Sequence, residues 1–384
     1  MLSKHKLFTA FGFLWNLNYL LGAFGFEVKG VFIIYIVLLL LVFLINGDGK
    51  VTLNKWTGIL LLLVFLLPIL FVKSVSISEY SQYKTIFFLL KCGPIVLFPL
   101  FLKEYIMSFI KGYWIACFIF LCIVAMKSIP FIADASVNNR FQIGLLNPIW
   151  ISRFIMEGLL ITIIVLKKKR IVFYYLLLSL PVFYVCGSKG PFLAGIFSFI
   201  TYLFFNKKIF KQKAIILVSV FLLGFMVPKV LDFSDGSYIT QRFLRAVPDK
   251  ASKSLIEESR VVVWPTSLLK LRDVSVQKLL FGHGFGRYGD FYYNNTTFRF
   301  YPHNLLLELL IECGIIYLII FFLYILSFHS VNVFSYLFYF SFFNAMFSGD
   351  ILLNESIFLY LSLTFAYKVY LKKTSRDITI QQPI

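Results

Sequence analysis

Charge is what this chain has least of. Asp, Glu, Lys and Arg make up 14% of its 384 residues, where a soluble domain carries about 25%. A water-soluble globular protein is excluded on that ground, and the 60% share of apolar residues agrees. Acidic residues are the scarcer sign, 18 against 37 basic ones, for a formal net charge of +19. In a soluble protein that excess would point to nucleic acid. Here the basic residues fall mostly in short blocks between apolar runs, the pattern that orients membrane helices, so no nucleic-acid partner is expected. Cysteine is sparse too. Cys92, Cys117, Cys122, Cys186 and Cys313 lie inside or at the edge of apolar runs, with no CxxC pair or Cys/His cluster. That excludes a disulfide framework or zinc site, and the five read as small buried hydrophobes. No cleavable leader is expected, because the first apolar stretch is followed at once by another.

Long apolar runs are what the chain has in abundance. A spanning helix needs about 20 mostly apolar residues. Such runs fall near residues 8–26, 30–46, 58–73, 84–101, 108–126, 148–166, 171–187, 191–205, 214–231, 304–326, 330–347 and 351–370. The expectation is an all-α, polytopic integral membrane protein of about twelve transmembrane helices, one membrane domain over residues 1–384. The 8–26 run is the weakest, interrupted by Asn16 and Asn18.

Orientation follows from the basic blocks. With Lys4 and Lys6 in the cytoplasm, Lys50, Lys55, Lys103, Lys111, the block Lys167-Lys168-Lys169-Arg170, and Lys207, Lys208, Lys211 and Lys213 fall on the same side. So does the tail with Lys372, Lys373 and Arg376. Both termini are then cytoplasmic. The long polar loop at 232–303, between the ninth and tenth spans, faces away from the cytoplasm. Loops of such length are usually functional or disordered. This one is rich in aromatics, holds Trp264 and a helical-looking stretch at 259–271, and is expected to be ordered, with a break at Pro265.

The informative cations are those that defy the inside bias. Lys91 and Arg153 lie within spans near their outer ends. Glu157 stands four residues from Arg153, so the two can share a helix face as an ion pair. Lys189 sits in a tight outer turn, and Arg242, Arg245, Arg260, Arg272, Arg287 and Arg299 lie on the long loop. Together they suggest an anion-binding basin at the outer leaflet, to which arginine's planar fork is suited. Histidine is rare, four residues in all. His303 lies in Tyr301-Pro302-His303-Asn304, where the long loop re-enters the membrane. Glu308 and Glu312, four apart, follow on one helix face. A neutral imidazole there can accept a proton near pH 7. The run Gly282-His283-Gly284-Phe285-Gly286 lacks the strand and spacing of a dinucleotide loop. It reads as tight turns that let backbone approach a ligand or a neighbouring helix.

These residues resemble the signature of the O-antigen polymerase and ligase superfamily. The resemblance rests on the Gly-His-Gly turn, Pro302-His303-Asn304-Leu305-Leu306-Leu307-Glu308, and Glu312-Cys313-Gly314-Ile315. Ser259-Arg260 followed by Trp264 resembles that family's Arg-x-x-x-Trp element. Gly187-Ser188-Lys189-Gly190-Pro191 resembles its Ser-Arg-Gly turn, with lysine where arginine is usual, and Asn147-Pro148 is a further, weaker match. The likeness covers roughly residues 140–326. It implies a GT-C-like membrane glycosyltransferase that takes a glycan from a polyprenyl (undecaprenyl) pyrophosphate carrier at the outer face of a bacterial plasma membrane.

On that reading His303 is the general base for an acceptor sugar hydroxyl, oriented by Glu308 or Asn304. Arg260, with Lys189 and Arg153, binds the departing pyrophosphate. Gly284, Gly286, Asn304 and Trp264 belong to the substrate-binding surround. No metal and no cofactor is expected, since cationic side chains can take a metal's part, and attack from the opposite face inverts configuration. The implied partners are the lipid-linked oligosaccharide, membrane lipid and a chain-length regulator. A polymerase, joining lipid-linked repeat units, is favoured over a ligase that delivers glycan to lipopolysaccharide core or a protein-glycosylating relative. A transporter or flippase is the alternative of another class. Transporters usually gather their polar residues at the bilayer midplane between inverted repeats, whereas here they collect at one face.

Overall fold

The computed structural model describes residues 3–26, 30–46, 53–70, 79–132, 141–205, 260–293 and 300–380. Among them the backbone is helical and holds no strand. Helices satisfy every backbone donor internally, which lipid demands. In chain order they are α1 (Lys4–Trp15), α2 (Leu17–Ala23), α3 (Val31–Asn46), α4 (Lys55–Leu70), α5 (Glu79–Leu100), α6 (Ile106–Ser128), α7 (Pro148–Leu166), α8 (Lys169–Cys186) and α9 (Lys189–Phe205). After the undescribed stretch come α10 (Arg260–Lys270), α11 (Val276–Phe281), α12 (Tyr288–Tyr293), α13 (Leu305–Phe328), α14 (Ser335–Ala345) and α15 (Ser356–Ile380).

Five of these segments, α5, α6, α7, α8 and α13, are long and apolar enough to cross a membrane, and α3, α4 and α9 are shorter apolar helices. Leu44, Leu62, Phe173, Leu180 and Leu326 on them are exposed. A row of large exposed apolar side chains on apolar helices is the surface of a protein dissolved in lipid. The expected span at 214–231, the stretch 232–259 with Arg242 and Arg245, and Arg299 lie outside the described residues.

The chain divides into two compact units. The first comprises residues 1–15, 29–112 and 260–384. In it α13 packs against α4, α11 and α15, and α15 packs against the second half of α5. The second comprises residues 16–28 and 113–259, with α7 packed on α8 and α9. The division falls where the first apolar run was weakest: α1 stops at Trp15, and Asn16 precedes α2. Asn147 caps α7, its side chain accepting from the Ile149 and Trp150 N–H groups at 3.0 and 3.1 Å, with Pro148 at the first helical position. That is the chemistry expected of Asn-Pro at a helix start. The break expected at Pro265 does not occur: α10 runs through it.

Candidate functional site

The first unit brings the chemistry-bearing residues of the loop and the re-entering helix together at the N-terminal mouth of α13. Asn304 is the helix cap, its side chain accepting from the Leu307 N–H at 3.1 Å. His303 precedes it with φ +55°, a left-handed backbone that non-glycine residues adopt rarely and at a cost. Such a conformation persists where surrounding contacts fix it. Here α10 supplies them. The Trp264 indole N–H donates to the Pro302 carbonyl at 2.7 Å, next to His303. Val263 of α10 joins Tyr288, Phe291, Leu307 and Ile311 in one buried cluster. Each such side chain contributes about 1.5–3 kcal/mol when fully removed from water.

Arg260 opens this same helix. Its own pKa is lowered by burial. Burial, and then the positive charge of Arg260, push His303 down to about 4, with Asp350 opposing. His303 Nδ1 is buried without a hydrogen-bond partner. The mouth therefore presents a neutral imidazole within the field of a guanidinium.

The glycine run lies against α13 one layer deeper. Gly314 takes φ +78°, ψ 176°, which interrupts the helix. A regular helix would spend the carbonyls before it on its own next turn. Instead the Ile311 and Glu312 carbonyls accept from the His283 and Gly284 N–H groups, both at 2.9 Å. The two backbones meet so closely that a Cβ on Gly282 would collide with the Glu312 backbone, and one on Gly314 with that of Leu280. Backbone approach was the expected use of these glycines, and the partner is a helix. Gly284 and Gly286 spend their N–H groups on Glu312, on its carbonyl and on its carboxylate at 2.9 Å.

Beneath the mouth lies a buried ionic group. The Lys84 ammonium of α5 donates to Glu308 and, at 2.6 Å, to Glu312, and all three side chains are inaccessible to solvent. Glu312 also accepts from the Tyr288 N–H at 3.4 Å, and Glu308 from the Ile351 N–H at 3.3 Å. Lys84 lies 4.8 Å from the centre of the Phe285 ring, and Ser81 donates to the Phe285 carbonyl. Asp350, also buried, takes the Tyr80 hydroxyl and the Leu353 N–H.

The second unit holds the other two expected cations. Arg153 is buried on α7 and paired with Glu157 at 3.5 Å, whose carboxylate also accepts from the Tyr113 hydroxyl at 2.5 Å. Lys189 is the first residue of α9, after a tight turn in which Gly187 has φ +53°.

Several expectations therefore find other partners. Glu308 and Asn304 were expected to orient His303; Glu308 is spent on Lys84 and Ile351, and Asn304 on the helix cap. Trp264 positions the Pro302 carbonyl, and Lys91, counted among the anion-binding cations, is paired with Glu355 and the Leu352 carbonyl. Sequence reading passed over Lys84, Tyr80 and Asp350. Two carboxylates on one helix face with no local cation were the signal that a distant lysine was needed. Among the described residues no three His, Cys, Asp or Glu side chains are arranged to hold a metal ion.

Residues 173–322 match the family model described as O-Antigen ligase. That segment contains Lys189, Arg260, the glycine turn, His303, Glu308 and Glu312, and leaves out Lys84, Arg153 and Asp350. No curated protein matches the chain.

Proposed function

We propose, from the match of residues 173–322 to the O-antigen ligase family, that this chain is a member of the O-antigen polymerase and ligase superfamily that polymerises a surface polysaccharide. It transfers a glycan from a polyprenyl pyrophosphate carrier to a hydroxyl of a second lipid-linked repeat unit, at the outer face of a bacterial plasma membrane. The observation that carries this reading is His303, held at the mouth of a membrane helix by the Trp264–Pro302 hydrogen bond and the Asn304 cap, on the segment that α10, the helix opened by Arg260, fixes in place.

The chemistry assigns each group a task. The acceptor oxygen attacks the anomeric carbon while its proton passes to the His303 imidazole. The bond from that carbon to the pyrophosphate oxygen breaks, and the electron pair leaves with the pyrophosphate. Arg260 stabilises the charge that develops there, and attack from the opposite face inverts configuration. The positive charge of Arg260 lowers the basicity of His303 in the empty site. A pyrophosphate on Arg260 offsets that charge, so donor binding raises the imidazole's affinity for a proton. The base is strengthened only when there is something to attack. Arg153, held by Glu157 and Tyr113, is assigned to the framework of its unit.

A second reading, ligation of the glycan to lipopolysaccharide core, is favoured by the description of the matched family. A deletion strain separates them: loss of a polymerase leaves single repeat units on the core, and loss of a ligase leaves none. Reconstitution with purified lipid-linked repeat units tests the shared chemistry. His303→Ala should lower chain growth by about 10²–10⁴-fold, the usual contribution of a general base, at unchanged protein level in the membrane. Near-normal growth in that variant removes His303 from the mechanism.

A further inference from the structure

The buried group below the mouth has one cation for two carboxylates, and their hydrogen bonds are unequal. Glu312 has donors on both oxygens: Lys84 and the Gly286 N–H on Oε2, the Tyr288 N–H on Oε1. Glu308 receives Lys84 and the Ile351 N–H on Oε1 alone. Its Oε2 is buried with no partner. An ionised carboxylate only accepts, and it spreads its charge over both oxygens. Leaving one of them dry and unpaired in an apolar interior is among the costliest arrangements a protein can hold. A neutral acid with its hydrogen on Oε2 leaves only an unpaired hydroxyl, a much smaller penalty.

The surroundings act in both directions. Glu308 lies in the first turn of α13, where the helix dipole modestly favours a negative side chain. Asp350 and Tyr80 also face the group, and Asp350 adds negative charge that disfavours a second anion beside it. Lys84 can neutralise one carboxylate but not two. Desolvation of an unmatched second charge outweighs the dipole's contribution.

We propose that Glu308 is held as a neutral carboxylic acid, with its proton on Oε2, leaving Lys84 and Glu312 as the single ion pair. The consequence for function rests on the reading of the mouth as a pyrophosphate site. Two ionised glutamates on one lysine would place net negative charge directly beneath a site that must receive a polyanionic donor. With Glu308 neutral, the Lys84–Glu312 pair that ties the glycine turn to α13 carries no net charge, and Asp350 is the one negative charge left facing it. Glu308 is a positioning residue on this account, acting through Lys84 and Ile351.

Infrared spectroscopy of the purified full-length protein tests the protonation state without reference to activity. At neutral pH the native protein should show a protonated-carboxyl C=O stretch that shifts on transfer to D2O and is absent from E308Q. E312Q should lose the same band, because Glu308 then becomes the sole counter-ion of Lys84 and ionises. A native spectrum without such a band, or one that E308Q leaves unaltered, overturns the proposal. The functional half is read in the reconstituted transfer assay. Glu308→Ala, which withdraws the acceptor for Lys84 and the Ile351 N–H, should lower chain growth, and E308Q, which keeps an acceptor oxygen without the charge, should recover most of it. A loss on the order of a hundredfold from a membrane-inserted E308Q would make Glu308 an ionised participant and overturn that half. Should His303→Ala prove active instead, the glycosyltransfer reading fails while the infrared result stands.

Discussion

Each unit of the molecule buries an ionic cluster, and the two are built on opposite plans. In the second unit Arg153 pairs with Glu157 four residues on along the same helix, helped by Tyr113. In the first, Lys84 meets Glu308 and Glu312 across separations of 224 and 228 residues, and the glycine turn joins through the Gly286 N–H. The local pair stiffens one helix. The distant one ties α5, the loop segment and α13 into a single support under His303. Burying charge gains little stability by itself, and its best-attested use is to specify an arrangement. On the proposed function the first cluster belongs with the reaction, the second with the framework.

The sharpest way to break this contrast is Lys84→Met, which strands a buried glutamate. It should cost about 3–5 kcal/mol and lower the amount of folded protein in the membrane. Lys84→Met with Glu312→Gln, which removes both charges, should restore that amount in large part. A single variant as abundant and heat-resistant as native protein would make the cluster an ornament. Next comes Arg260→Gln, with a loss of about 10²–10³-fold in chain growth, as for removal of one group stabilising a transition-state charge. It should also move the pH profile. His303, held down to about 4 in the empty site by burial and by Arg260, loses activity as it protonates, so the acid limb of the native kcat/KM profile, which reports the free enzyme, should lie near pH 4. Removing the guanidinium raises the imidazole's pKa and shifts that limb to higher pH. A limb that stays in place would separate the two residues. Arg260→Lys should rescue transfer only partly, since an ammonium lacks the bidentate fork.

A smaller effect is expected from Gly314→Ala. Its φ of +78° with ψ of 176° is a region almost reserved for glycine, and strain there costs about 1–3 kcal/mol. Thermal unfolding in detergent measures it, and an unchanged midpoint would mean that the helix break is not fixed. The smallest change should come from Arg153→Met with Glu157→Gln, which removes the local pair whole. Exchanging a buried pair for neutral groups is often near neutral, so folded amount and chain growth should stay close to native. A collapse of transfer at normal protein level would instead give the pair a part in transfer and break the contrast.

The same contrast explains what could be seen in the sequence. Arg153 and Glu157 were legible because i and i+4 share a helix face. The mouth was legible because Pro302, His303 and Asn304 are a cap signal beside a titratable ring, and the Asn16 break because a polar residue interrupts an apolar run. The glycine turn announced close backbone approach without saying to what. Lys84 was passed over as the first residue of a span at 84–101, and nothing within a helical turn of it shares its charge problem. Pairings across more than two hundred residues leave no local period. Only the imbalance of two inward carboxylates without a neighbouring cation recorded that something was missing. Lys91 misled in the opposite direction, its counter-ion Glu355 being just as remote.

The separation between Lys84 and its partners also sets an order of manufacture. Chains are made at about 5–20 residues per second, so the 224 residues between Lys84 and Glu308 take on the order of 10–45 s to appear. Throughout that interval the lysine lacks both of its native carboxylate partners, and the Gly282–Gly286 turn, once made, has no α13 to lie on. The catalytic mouth is thus among the last parts of the molecule to close, and a nascent chain released before Glu312 carries every basic residue of the site without the frame that makes them act together.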